Sequence, residues 1–184
     1  MYWIERVMWT IGITAYTSWA VVSAFGLTGA HQELRRFAEV QASGLPAGES
    51  AAPLAVLRIP KIKLDVAVLP GTAESTLNRA VGHIENTALP GSDGNAGIAG
   101  HRDRFFRGLK DIRAGDLLQL ETLTSIDTYR VERTWIVDPH EVSVLDPTDS
   151  PSITLVTCYP FYFVGSAPRR FIVRAVRTHR VPQS

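Results

Sequence analysis

The sequence has a single cysteine, Cys158, among 184 residues. No disulfide can form within the chain, and metal sites that need two thiolates are excluded. Charge of either sign is not in excess: 19 Lys and Arg stand against 18 Asp and Glu, a net +1. Nucleic acid is therefore not an expected partner, because that partner requires a basic face or stripe. The pairs Arg35–Arg36 and Arg169–Arg170 are too small to make one. No cluster of carboxylates has the spacing of a calcium loop, and no internal repeat is present. Neither a cofactor nor a metal is expected.

Charge is also missing from one long stretch. Between Val7 and Ala30 no residue is charged. At about 1.5 Å per residue, a helix of that length reaches across a hydrocarbon core of roughly 30 Å. Residues 1–6 then read as an N-terminal cytoplasmic stub and residues 7–30 as a transmembrane anchor. Thr10, Thr14 and Thr17 interrupt the apolar run, but short hydroxyls bond back to the helix backbone. Trp3 and Trp9 stand near one end, where interfacial aromatics belong. A cleaved signal peptide is the competing reading, but its apolar region would be shorter. Counted alone, Arg35 and Arg36 against Arg6 would leave the C-terminal part in the cytoplasm; the catalytic reading below places it outside.

Residues 31–42 carry Leu34, Phe37 and Val40 at three-residue spacing, a short amphipathic helix. Residues 43–53 are rich in Gly, Pro, Ser and Ala and read as a flexible linker. From Leu54 the pattern changes to short apolar runs bounded by Pro, Gly and Asp. Strands are expected at 55–59, 64–69, 96–100, 117–121, 128–137, 153–157 and 171–176, with helical pieces at 74–80 and 105–109. Many short strands separated by turn signals indicate a mostly β barrel or sandwich.

A lone cysteine is most often a small buried hydrophobe. Cys158 departs from that because of its setting. It ends the strand Ile153–Thr157 and is followed by Tyr159-Pro160, where proline stops the ladder. The thiol thus arrives at the mouth of a sheet. A thiol nucleophile needs a base or imidazolium neighbour and a group to stabilise the oxyanion. His101 ends the small-residue strand Gly97–Gly100, which places it at another site-forming strand end. His83 is its rival, while His31, His140 and His179 read as solvated. Arg170 opens the final strand twelve positions after Cys158 and would return beside it as a hairpin neighbour. Its planar cationic fork suits a substrate carbonyl and its developing charge. The alternative is an edge-strand charge that discourages aggregation, a reading that also fits Arg169.

Thr154-Leu-Val-Thr-Cys158 resembles the TLxTC signature of the sortase family. Gly100-His101-Arg102 resembles the family's catalytic-histidine segment, and Arg170–Ala175 its final strand. Leu57-Arg-Ile-Pro60, Gly71, Leu77, Gly82-His83 and Leu89-Pro-Gly91 add to the likeness, which runs over about residues 54–178. The Cys-Tyr-Pro and Gly-Ser-Ala-Pro elements are most similar to the class D branch. The resemblance implies a closed eight-stranded β-barrel with short helices after one N-terminal transmembrane helix, and residues 179–184 are left as a tail. It also implies Cys158 as nucleophile, His101 as acid/base and Arg170 as oxyanion stabiliser, with Arg169 in that place if the register slips by one. His83 matches a position outside that trio.

The same resemblance implies a membrane-anchored cysteine transpeptidase, single-pass in the plasma membrane with its catalytic domain on the extracytoplasmic side. Its partners would be membrane-tethered proteins carrying an LPxTG-like motif and an amine acceptor in the cell envelope. Two other functions remain open at this level. A cysteine protease would use the same residues with water as acceptor. A membrane-tethered binding domain would bury Cys158 as an inert thiol. A cysteine transpeptidase of peptidoglycan cross-links lacks support in the residues around Cys158. The aromatic loop Phe161-Tyr-Phe-Val164 either lines a peptide groove or covers a barrel end.

Overall fold

In the computed structural model, residues 2–43, 52–162 and 165–183 are described, with backbone alone for 19–28. Eight strands close on themselves: β1 (Ala55–Ile59), β2 (Leu64–Pro70), β3 (Val81–His83), β4 (Asn95–Ala99), β5 (Leu117–Glu121), β6 (Ser125–Val137), β7 (Ser152–Tyr159) and β8 (Arg169–Pro182). Their order around the barrel is β1-β2-β3-β4-β7-β8-β6-β5, with β5 pairing back to β1. Closure removes the open edges that a sheet of short strands would otherwise expose.

Inward-facing side chains fill the barrel. Leu57, Ile59, Val66, Val68, Ile98, Leu118, Leu120, Tyr129, Val131, Ile153, Leu155 and Val173 belong to one buried cluster. Burial of the Tyr129 ring pushes its phenol up to about 12, with the Asp127 carboxylate adding to the shift. Most strands antiparallel their neighbours, but β2–β3 and β4–β7 run parallel. The β2–β3 crossover is made by the short helix α2 (Glu74–Leu77). There Gly82 passes so close to the Gly71 carbonyl that a Cβ would come within 2.2 Å of its oxygen.

The expected strands and helical pieces are present, with differences at their ends. The helix expected at 74–80 ends at Leu77, and the chain turns into β3, which was not expected as a strand. The piece at 105–109 is a 3-10 helix over Phe105–Asp111. β8 continues to Pro182, where it meets Ser125, so residues 179–182 form the last rungs of the barrel rather than a tail. The alternation along β6 also changes phase. Val131 pairs with Ala175, but Arg133 pairs with Arg174, which leaves Glu132 as a bulge. A bulge inserts one residue and turns the following ones to the other face. Arg133, Trp135 and Val137 therefore look outward.

Helix α1 (Tyr2–Ser43) runs unbroken through both segments expected at 7–30 and 31–42. Its C-terminal part docks on the barrel. Phe37 is buried there, and Leu34 packs against Ala67, Leu69 and Ala80. Glu33, also buried, lies 3.4 Å from Arg79. Gln41 reaches Glu121 at 3.2 Å, at a node that also receives Gln183 and Arg58. The N-terminal part stands clear, with Trp3, Met8 and Trp9 exposed. The threonine hydroxyls do bond back along the helix: Thr10 donates to Val7 O at 2.8 Å and Thr14 to Thr10 O at 2.9 Å.

The expected transmembrane segment is not supported. Among the described residues, no helix is long and apolar enough to cross a membrane. Thr10, Thr14 and Thr17 dilute the apolar stretch. Most of the expected linker, residues 44–51, lies outside the described residues.

Candidate active site

Three neighbouring strands of the barrel wall, β4, β7 and β8, reach one rim together. β7 and β8 are in antiparallel register, with Cys158 opposite Arg170 and Tyr159 opposite Arg169. Directly paired residues share a face of the sheet. Ile153 and Leu155 point into the core, so Thr154, Val156 and Cys158 point out, and Arg170 points out beside Cys158. A register slip that would substitute Arg169 is absent.

His101 comes to the same level from the other side. β4 pairs with β7 as Ala99 to Val156, and the same register carried two residues onward would set His101 level with Cys158. Two hydrogen bonds hold this continuation beyond the end of β4. Gly100 N donates to Val156 O at 3.2 Å, and the buried Thr157 hydroxyl donates to Gly100 O at 2.7 Å. Gly100 is needed for packing: a Cβ there would lie 2.8 Å from the buried Phe106 ring. The strand of small residues before His101 thus lets the 3-10 helix lie close beneath it.

Cys158 is half-buried and a free thiol. The His101 side chain is 27% exposed, enough to be reached. Its buried Nε2 lies 3.4 Å from Glu74 Oε1 and has no hydrogen-bond partner among the described residues. Arg170 donates through Nη1 to Ala167 O at 3.3 Å and Arg169 O at 3.1 Å. These carbonyl contacts are neutral, and among the described residues no carboxylate pairs with it.

Sequence reasoning missed three supports. Thr157 is read from the TLxTC pattern as a strand residue, yet it fastens β7 to the segment that carries His101. Glu74 was seen only as the start of a helix. Arg102, next to His101, donates to Pro160 O at 3.1 Å and Gly165 O at 3.0 Å, tying the histidine segment to the loop that follows Cys158. That loop also resolves the aromatic run in part. Phe161 packs on the core and against Phe171, with ring centroids 5.2 Å apart, so it covers the barrel end. Tyr162 is exposed beside Arg107. Phe163 and Val164 lie outside the described residues.

His83 takes no part in this rim. It is buried, and its Nε2 lies 2.9 Å from Ala88 O, to which it can only donate. Thr87 Oγ1, 3.1 Å from the same nitrogen, accepts from Gly97 N. The imidazole therefore pins the β3–β4 connection. His140 is exposed in the turn after β6, His179 is exposed nine residues along β8 from Arg170, and His31 lies on α1. Among the described residues, no group of three His, Cys, Asp or Glu side chains is placed to hold a metal.

A closed eight-stranded barrel with a half-buried cysteine paired across strands with an arginine defines a cysteine-bearing β-barrel protein. The chain belongs to the sortase family: its Sortase domain covers residues 57–178. It is 35% identical over 123 residues to Sortase D of Bacillus subtilis, across 66% of this chain and 62% of that protein. It is 30% identical over 106 residues to Sortase A of Listeria monocytogenes, across 55% of this chain and 47% of that one. The match thus spans less than two thirds of the length of either relative. Among solved structures, the Clostridium perfringens Sortase D5 transpeptidase superposes with a TM-score of 0.70 at 27% identity, over 85% of this chain and 99% of that one.

Proposed function

We propose that this protein is a cysteine transpeptidase that cleaves an LPxTG-like sorting motif and joins the acyl part to an amine. The observation that carries the reading is the direct pairing of Cys158 with Arg170, next to the strand β4 whose continuation leads to His101. Family membership supports the same chemistry.

The Cys158 thiolate attacks the scissile carbonyl, and the oxygen gains negative charge. Arg170, one strand away and paired with no carboxylate among the described residues, stabilises that charge when it turns from its neutral carbonyl contacts. His101 gives its proton to the leaving amine as the C–N bond breaks, which leaves a thioester on Cys158. An incoming amine then attacks the thioester. His101 takes its proton, an amide bond forms and the thiolate is released.

The test is product analysis by mass spectrometry with a peptide bearing an LPxTG-like motif. With an amine acceptor present, the ligated peptide is expected as the main product. Only hydrolysed peptide under those conditions would establish a cysteine protease instead. A folded protein whose Cys158 resists alkylation and forms no product would be a binding domain.

The membrane anchor belongs to this proposal as well. It rests on the uncharged stretch from Val7 to Ala30 and on the exposed apolar side chains of the free part of α1. Anchored there, with the catalytic domain on the extracytoplasmic side, the enzyme would meet membrane-tethered substrates at raised effective concentration. Flotation with lipid vesicles tests this. The full chain should float and a chain lacking residues 2–30 should not; equal behaviour would remove the anchor.

A further inference from the structure

The outer face of the barrel carries a second built feature beside the rim. The connection between β6 and β7 crosses over β8, and between it and the strands lies a cavity of about 360 Å³. Arg133, Trp135, Val137, Ser143, Thr148 and Arg174 are among its lining residues. The β6 bulge creates this cavity wall, because it turns Arg133 outward opposite its register partner Arg174.

Arg174 is 9% exposed, an unusual setting for a cation. Its Nη2 donates to Val144 O at 2.6 Å, but its buried Nε has no hydrogen-bond partner among the described residues. Among the described residues, no carboxylate lies within ion-pair distance of Arg174 or Arg133. Glu141 and Asp146 also line the cavity. Glu141, however, accepts from the amide and hydroxyl of Ser143, and Asp146 is exposed. Burial, and then the neighbouring Arg133, hold the Arg174 guanidinium below its usual value, while Glu132 and Asp146 oppose the shift only in part. Arg133 stands over the Trp135 ring, its Cζ 4.3 Å from the centroid, a cation–π contact. A buried cation with an open donor is costly to the empty protein. An anion in the cavity would relieve that cost by accepting from both forks.

The cavity also connects with the rim. Val137 lines it and pairs with Arg170, and Arg170, Ile172 and Arg174 succeed one another on the outer face. Four residues of strand separate Arg170 from Arg174, about 13 Å at 3.3 Å per residue. An extended peptide held at the rim covers that distance in about four to five residues. We propose that Arg174 and Arg133 form a subsite for an acidic side chain of the substrate, about four to five residues from the scissile carbonyl. This rests on the peptide-cleaving reading above.

The experiment scans single Glu-for-Gln exchanges along a motif peptide. It reads kcat/KM with the full chain, and peptide affinity by fluorescence anisotropy with the Cys158→Ala chain. One position should prefer Glu by about tenfold, the order supplied by a charge-assisted hydrogen bond. The Glu/Gln ratio there should fall to about one in Arg174→Met and in Arg133→Met. Thermal melts check folding, and the exposed Arg133 carries the test if Arg174→Met does not fold. Peptides turned over with no Glu preference anywhere would overturn the subsite and leave the transpeptidase standing. A preference that survives both substitutions would also overturn it. If no peptide binds or reacts, the substrate reading fails and the subsite with it. Titration with inorganic phosphate, followed at the Trp135 indole resonance, then shows whether the cavity takes a free anion instead.

Discussion

Cys158 and Arg170 are direct cross-strand partners on β7 and β8, and both face away from the barrel core. The pairing matters because two arginines are adjacent in the sequence and only one shares the face of the thiol. Arg170→Ala is expected to lower kcat/KM by about 10²-fold or more, the cost of losing an oxyanion donor. Arg169→Ala should cost far less, since Arg169 is exposed and pairs with Tyr159. A larger loss from Arg169→Ala would mean that the working register differs from this one.

His101 and His83 separate in the same way. His101→Ala should remove general acid–base help worth roughly 10²- to 10⁴-fold. His83→Ala should act on stability, because it frees Ala88 O and the β3–β4 turn. Thermal melts and steady-state kinetics on the two variants give opposite patterns if the assignment holds.

Thr157 offers a finer test. Thr157→Val keeps the shape of the side chain but removes the hydrogen bond to Gly100 O. The buried carbonyl loses its partner, a cost of about 1–3 kcal/mol. Because that bond fixes the approach of His101 to Cys158, kcat should fall as well as Tm, and Thr157→Ser should restore both. A loss of Tm with unchanged kcat would leave the bond purely structural.

Glu121 joins β1, β5, α1 and the end of β8. Burial pushes its carboxyl up, but hydrogen bonds from Arg58, Gln183 and Gln41 outweigh that and bring it below the ordinary value of 4.5. A depressed folded value means that the unfolded chain binds the proton first. The stabilisation is therefore complete above about pH 4.5 and is lost as pH falls through the lower folded value. Glu121→Gln should lower Tm at pH 7 and lose less on acidification than the parent. Equal acid sensitivity of the two would exclude this node as a source of it.

The sequence disclosed the parts of this account that depend on local pattern. Strand runs such as Ala55–Ile59 and Ile153–Thr157 alternate or end at prolines, and their positions could be read directly. The trio of Cys158, His101 and Arg170 was legible because each stands at a strand end. What pairing alone decides was not legible. β3 is three residues long and contains Gly82, too short for a periodic signal. The bulge at Glu132 inverts the faces of Arg133 and Trp135, and alternation alone cannot announce it. Alternation from Arg170 puts Arg174 on the same outer face. Its burial, however, follows from the loop that folds over β8, a contact across 30 residues of sequence. The length of the uncharged N-terminal run was plain; its apolar character was not enough for the structure to support a membrane span.

The central claim is that Cys158 carries the acyl group. Intact mass of the full chain, taken after mixing with a peptide bearing an LPxTG-like motif and no amine acceptor, tests it most directly. The account predicts an added mass equal to the acyl fragment, mapped to Cys158, absent from Cys158→Ala and discharged when an amine is added. Product formation by Cys158→Ala, or an adduct mapped to any other residue, would contradict it.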